Sequence, residues 1–491
     1  MKRLFALLLC LSFALSGCAQ VTVSPGANGQ NTPPVDDGEG AKLLSQYVLA
    51  DAALPVLPAE PSEAELYAAY EKLDYDKMGE EAYEKAQQEL WDDFDARSQA
   101  YYDAVKALRG EGVDEAMTPA LLAYSEKTVS KLLGSEESAN VIYSPANLYL
   151  ALAMLSETVD GDSRAQLLDL LGAENVETIR TAANAIWRAL YTESATGKTL
   201  LANSLWLSEG QEYKSETVER LAADYYASTY SVPMGADDTN RAVAAWLNEK
   251  TGGLLSDAAE NIKTNPQTVM LLLSTLYFKE NWTDDFAESR TSEDTFTAAN
   301  GEEQTVDFMH KTDSAANFVR GEGYTVAQLG FQNRAKMIFL LPDEGTALAP
   351  LLRDETALAD LFTTVYENER AESAKILWSV PKLDVSSDLE LSDALASLGV
   401  SDVFDDRLAD FSPLADFTDP VSVTQVQHAA RVKLDEQGCE AAAFTAIVAD
   451  ASAAIPEELP VIEMNLNRPF AFAITGVDGL PLFVGAVNTM A

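Results

Sequence analysis

Histidine and cysteine are almost missing from this chain, at two and three of 491 residues. Three cysteines, at positions 10, 18 and 439, cannot build a disulfide framework, so stability has to come from an apolar core. With so few soft ligands a zinc-type His/Cys cluster is excluded, and no metal or cofactor is expected. Basic residues are also scarce: 34 Lys and Arg face 78 Asp and Glu, a formal charge of −44. Such a surface repels nucleic acid and anionic lipid headgroups, and its plain use is solubility. Beyond the first residues no run approaches the roughly 18 uninterrupted apolar residues of a spanning helix. Neither a GxSxG elbow nor a phosphate-binding glycine loop occurs.

The two histidines leave little room for nucleophilic catalysis. His310 lies in VDFMHKTD and reads as a surface residue at an exposed strand end. His428 stands just before a strand expected over Ala429–Leu434 and reads as a satisfied structural histidine, not a general base. Cys439 has no neighbouring base and reads as a small hydrophobe. With 78 carboxylates, chance acid pairs are certain and carry no weight as a glycosidase signal. No catalytic residue is expected, and the chain is not read as an enzyme.

What is present begins with MKRLFALLLCLSFALSGC. Lys2 and Arg3, a short apolar run and then small residues have the form of a secretory signal over residues 1–17. Leu15-Ser16-Gly17-Cys18 resembles a bacterial lipobox. That resemblance implies acylation of Cys18 and an extracytoplasmic protein held to a membrane or cell surface by lipid. An ordinary signal with an incidental cysteine is the alternative.

Residues 18–42 are rich in Gly, Pro, Asn and Asp without an aromatic, which predicts a flexible tether. Residues 43–114 form an acidic extension with helices expected at Ala64–Leu73 and Tyr83–Leu108, the second carrying a stripe of Tyr83, Leu90, Phe94, Tyr101 and Val105. Packing on the main body is its plain role. From residue 115 to 491 the pattern is that of one large domain, with a helix over Leu121–Leu133, another over Leu148–Glu157, and strands at Asn203–Leu207 and Leu271–Trp282.

The most unusual stretch is Glu436–Pro456, EQGCEAAAFTAIVADASAAIP. It is too poor in large residues for an amphipathic helix. By a two-residue period, one face holds Cys439, Ala441, Ala443, Thr445, Ile447 and Ala449, all uncharged. The other holds Glu440, Ala442, Phe444 and Asp450. No proline interrupts it before Pro456, so it satisfies the demands of a central strand, yet its composition suits an exposed loop equally well.

Glu436, Gly438, Glu440, Ala441, Ala442, Ala443 and Thr445 resemble the hinge of the reactive-centre loop of serpins, and Asn467–Met490 resembles the serpin C-terminal signature. Further blocks match in family order: Asn140–Pro145 with the helix after it, Trp246-Leu247-Asn248, Leu271–Trp282, Met337–Gly345 and Ile376–Asp406. The resemblance implies an α+β serpin fold over residues 115–491, with a large, mostly antiparallel central sheet A, further sheets and surrounding helices. His428 sits at the family's shutter histidine and Ser144 in its Ser-Pro pair, with Trp282 at the top of the sheet. Asn147 stands where a second Ser is usual and Ser274 where Asn is usual, and Leu254 replaces a lysine. Ser144, Asn147, Ser274 and His428 are expected to form one buried cluster with its donors and acceptors redistributed.

The resemblance implies a suicide inhibitor whose cleaved loop inserts into the central sheet, with a target serine protease bound covalently as the partner and a monomeric state. The family's hinge spacing, counted from Glu436, places the scissile bond at Ser452–Ala453. Lys and Arg are absent between Lys433 and Arg468, so elastase- or subtilisin-like targets are expected and trypsin is not. A non-inhibitory serpin serving as a surface binding or scaffolding lipoprotein is the alternative, favoured by Phe444 and the altered shutter. A solute-binding lipoprotein is a third reading, favoured only by the signal and the acidity.

Overall fold

Met270–Asn281 is apolar on both faces, with Leu271, Leu272 and Leu273 at one end and Tyr277 and Phe278 at the other, the pattern of a strand covered on two sides. In the computed structural model it lies in the middle of a sheet. The structure describes residues 39–110, 112–113, 117–195, 197–253, 255, 262–424, 426–439 and 459–490. These residues fall within one compact unit.

The strands in chain order begin with β1 (Val48–Ala50), β2 (Val141–Tyr143), β3 (Thr192–Glu193), β4 (Lys198–Ser208) and β5 (Ala227–Val232). There follow β6 (Met270–Asn281), β7 (Ser292–Thr297), β8 (Glu303–Gly321), β9 (Tyr324–Gly330), β10 (Lys336–Pro342) and β11 (Glu372–Pro381). The last are β12 (Leu383–Glu390), β13 (Gln427–Leu434), β14 (Gly438–Cys439), β15 (Val461–Asn465), β16 (Phe470–Thr475) and β17 (Pro481–Val487). Among the described residues these make two sheets. The central one runs β1-β5-β4-β6-β14-β13-β12, with β3 beside β4; the other runs β15-β11-β8-β9-β10-β16-β17-β2, with β7 beside β8. In the central sheet β4 and β5 are parallel and the other ladders antiparallel.

The helix Pro145–Thr158 joins the two layers. Ser144 caps it by accepting the Asn147 N–H, and Pro145 fills the first turn, where no N–H is needed. It is mostly apolar and buried on nearly every face, packed against both β6 and β17. It is the floor beneath the central sheet.

Two expectations need correction. The flexible tether expected up to residue 42 is contradicted over its last residues, because a helix begins at Glu39 and runs to Tyr47; the expected signal and the rest of the tether, residues 1–38, lie outside the described residues. Its Leu43, Leu44 and Tyr47 pack on the Trp206, Tyr230 and Trp246 cluster, and that burial holds a short helix where composition alone suggested none. His310 is not at a strand end: it lies inside β8, opposite Ser379 of β11. The acidic extension holds helices at Glu63–Tyr70 and Glu80–Arg109, but it also adds a strand, since β1 pairs with β5 along the edge of the central sheet.

Candidate functional site: the upper end and floor of the central sheet

At the upper end of β6 the chain turns through Trp282, a fully buried indole lying flat on Phe331 with ring centroids 4.5 Å apart. Its Nε1 donates to the Asp435 carbonyl at 3.1 Å, and its backbone N–H to that of Gln437 at 2.8 Å. The Phe286 N–H donates to the Glu436 carbonyl at 3.0 Å. Glu436 itself is buried: its carboxylate meets Lys382 Nζ at 2.8 Å and accepts from Thr291 Oγ1 at 2.7 Å. Burial works against its charge, but the bonds from Lys382 and Thr291 prevail and hold its pKa below the ordinary value. Asp435, flanking it, is pushed up by burial.

Beyond this anchor come two residues of strand. Gly438 pairs with Asn281 and Cys439 with Glu280, while on the other side Cys439 pairs with Leu434 of β13. Gly438 is required by close approach: a Cβ there would lie 2.1 Å from the Glu280 carbonyl oxygen. Among the described residues β6 and β13 share no ladder of their own; β14 stands between them. Gly438 and Cys439 are therefore already seated in the sheet, with Cys439 facing the core, and Glu436 is pinned in the turn just before them.

At the lower end the sequence-predicted shutter residues come together. Ser144 donates its backbone N–H to His428 Nε2 at 3.0 Å, and its hydroxyl receives the Asn147 N–H at 3.1 Å. Asn147 Nδ2 donates to the Ser274 carbonyl at 2.8 Å, and the Ser274 hydroxyl points back to Asn147 Oδ1. The same hydroxyl reaches Asn203 Oδ1 of β4 at 2.7 Å. His428 is an acceptor at Nε2, hence a neutral imidazole, and burial lowers its pKa to about 4. A cavity of about 50 Å³ lies between β6 and β13 at this end, lined by Asn147, Leu148, Met270, Ser274, Val426 and His428. The exchange of Asn and Ser thus leaves a network joining the floor helix to both strands.

The chain is matched by the model of the family described as "Serpin (serine protease inhibitor)" over residues 122–490. This chain belongs to the serpin family. Serpin-Z1A of Triticum aestivum is 30% identical over 363 residues, covering 71% of this serpin and 90% of the relative. Leukocyte elastase inhibitor of Homo sapiens is 26% identical over 361 residues, covering 72% and 93%. Among solved structures, the native state of tengpin, a thermophilic serpin, superposes with a TM-score of 0.68 at 25% identity, covering 77% and 95%. The serpin fold read from the sequence is the fold observed, and the family's activity is inhibition of proteases rather than catalysis.

In this serpin, sequence reasoning did not find Lys382, Thr291 or Asn203. Asn203 alone carried a signal, as an amide inside an apolar strand, NSLWL. Lys382 and Thr291 look like ordinary polar residues until Glu436 is brought to them. Glu440, Ala441, Ala442, Ala443, Thr445, Ser452, Ala453 and Cys18 lie outside the described residues.

Proposed function

We propose that this serpin inhibits a serine protease as a suicide substrate, through cleavage of the loop that follows Cys439 and insertion of its first half between β6 and β13. The observation that carries this is β14. The segment leading into the loop is already hydrogen-bonded to β6 and β13 at one end, in the position that a longer inserted strand would extend. Extending it through the proline-free face Cys439, Ala441, Ala443 and Thr445 adds ladder bonds on two edges, each worth about 1 kcal/mol net. The uncleaved protein is then a kinetically trapped state.

The targets we propose are elastase- or subtilisin-like enzymes, cut at Ser452–Ala453, because the loop sequence has small residues and no base there. A relative named leukocyte elastase inhibitor supports that class. The protein is proposed to act as a monomer, held by lipid on Cys18 outside the cytoplasm. Incubation of the full chain with subtilisin, an elastase and trypsin tests this. An SDS-stable complex with either of the first two, and a marked gain in heat resistance after loop cleavage, are expected. Turnover of the loop by every enzyme, with no gain in heat resistance, refutes insertion and leaves the scaffolding role.

A further inference from the structure

The floor helix is tied to the central sheet at its far end as well as at its start. Glu157, its penultimate residue, is 2% exposed and accepts from Arg180 of the helix Val176–Leu190, Nε to Oε1 at 2.6 Å and Nη2 to Oε2 at 3.2 Å. Arg220 of the helix Ser215–Asp224 adds an ionic contact at 3.6 Å. One residue beyond that helix, the buried Tyr225 donates its hydroxyl to Glu157 Oε1 at 3.0 Å. The Tyr225 carbonyl accepts from Asn203 Nδ2 at 2.8 Å, and Asn203 Oδ1 faces the Ser274 hydroxyl, which also meets Asn147. Asn147, Ser274, Asn203, Tyr225 and Glu157 thus make a ring of bonds. It leaves the floor helix in its first turn, crosses β6 and β4, and returns in the last turn. Tyr226 then leads into β5 with a φ of 52°, a conformation a tyrosine keeps only where its surroundings impose it. Its ring lies on Trp187 with centroids 3.9 Å apart, and the Asp224 carbonyl accepts from Asn184. The turn is fixed.

We infer that Tyr225 and Glu157 are positioning residues that set the rate of loop insertion, by latching the β5-β4-β6 side of the sheet to the floor helix. This rests on the inhibitory reading above. At the upper end β14 already stands between β6 and β13, but at the lower end the cavity between them is only about 50 Å³. A strand stands about 4.8 Å from each neighbour, so the lower end has to widen before the loop fills it. The β12–β13 side is joined to the second sheet: β2 donates the Ile142 N–H to Ser387 Oγ of β12 at 2.8 Å, and β2 pairs with β17. The side that slides over the floor is therefore the one carrying β6, and the ring is its hydrogen-bonded hold. Removing a member of the ring speeds insertion without touching the loop.

The test uses the full uncleaved chain, with a synthetic peptide of its own loop, Glu440–Asp450, as the strand that enters. Uptake is followed as the gain in heat resistance with time. Tyr225→Phe takes one hydroxyl from a buried carboxylate and keeps the ring. Tyr324→Phe is the matched control, because Tyr324 also donates to a buried carboxylate, Asp360 at 2.6 Å, but in the second sheet. Both variants are expected to lower the urea midpoint. Only Tyr225→Phe is expected to take up peptide faster than wild type, by about tenfold, as loss of a bond to a charged acceptor allows. If Tyr225→Phe does not fold, Arg180→Lys carries the comparison with a smaller change of the same sign, since it gives up the paired bonds on Glu157. If wild type inserts only its own cut loop, the gain in heat resistance after subtilisin cleavage is timed instead, with the same order expected. Equal rates in Tyr225→Phe and Tyr324→Phe, or a slower Tyr225→Phe, overturn the inference. A wild type that neither takes up peptide nor gains heat resistance on cleavage refutes insertion itself, and the inhibitory reading with it.

Discussion

His428 Nε2 accepts the backbone N–H of Ser144 at 3.0 Å, tying β13 to the first turn of the floor helix. An imidazolium has no lone pair for this bond. Burial holds the folded-state pKa at about 4, below the ordinary 6.5. The stability tied to keeping this buried imidazole neutral is therefore complete above pH 6.5 and is lost as pH falls through 4, by on the order of 3 kcal/mol over the full window. Asp285 runs the opposite way: burial and then Asp284 raise it to about 6, which favours the fold as pH falls. A difference measurement removes it. Urea midpoints at pH 7.5, 6 and 5 are expected to fall more steeply for wild type than for His428→Asn. Parallel profiles would show that His428 does not set this window.

Ser274 supplies one hydroxyl proton to a place where two amide oxygens, on Asn147 and Asn203, converge. Both asparagines are buried, so Ser274→Ala leaves acceptors without a donor in a water-poor site. A loss of about 1–3 kcal/mol is expected. Chemical denaturation of the uncleaved protein measures it, and a change within error would mean that water replaces the hydroxyl.

Much of this was legible beforehand, for reasons that differ by residue. Leu271–Trp282 announced a covered strand because its apolar residues occupy both faces, whereas the helix expected over Leu148–Glu157 begins three residues earlier, at Pro145, where Ser144 caps it. Glu436 was legible only as part of a hinge motif. That it is pinned at the upper end of the sheet depends on Lys382 and on Thr291, 145 residues away, and no local pattern encodes such a pairing. Strand β1 escaped notice because Val48–Ala50 is too short to show a period. Its place on β5 is decided by the neighbouring Leu43, Leu44 and Tyr47.

Gly438 has no room for a side chain, with the Glu280 carbonyl 2.1 Å from where a Cβ would sit. Gly438→Ala is expected to unseat β14. Because the Trp282 N–H donates to Gln437 in the same turn, its hydrogen exchange should quicken by on the order of tenfold. Stoichiometry of inhibition should rise with it. Unaltered exchange at Trp282 would mean the upper end accommodates the methyl group by a backbone shift.

Cys18 is proposed as the lipid attachment site, and a single substitution tests it. Cys18→Ala should leave the chain unacylated, appearing either with its signal uncleaved or as a soluble protein. Detergent-phase partitioning reads this directly. Equal partitioning of variant and wild type would remove the anchor.

The choice of target rests on Ser452. No Lys or Arg lies between Lys433 and Arg468, so a trypsin-like enzyme has no side chain in this segment for its acidic specificity pocket. Phe444 offers a site to a chymotrypsin-like enzyme, but a cut there would release only five residues beyond Cys439, too few to fill a strand beside β6. Small residues surround Ser452–Ala453, and a shallow pocket accepts them. Wild type is therefore expected to trap an elastase or subtilisin and to leave trypsin active. Ser452→Arg should reverse this, because it adds the one feature trypsin requires without touching the face that inserts from Cys439 to Thr445. An SDS-stable complex with trypsin in the variant alone, and a fragment beginning at Ala453 by mass spectrometry, is the expected pair of results. A new N-terminus outside Ala451–Ile455 would place the scissile bond elsewhere and undo the assignment of target class with it.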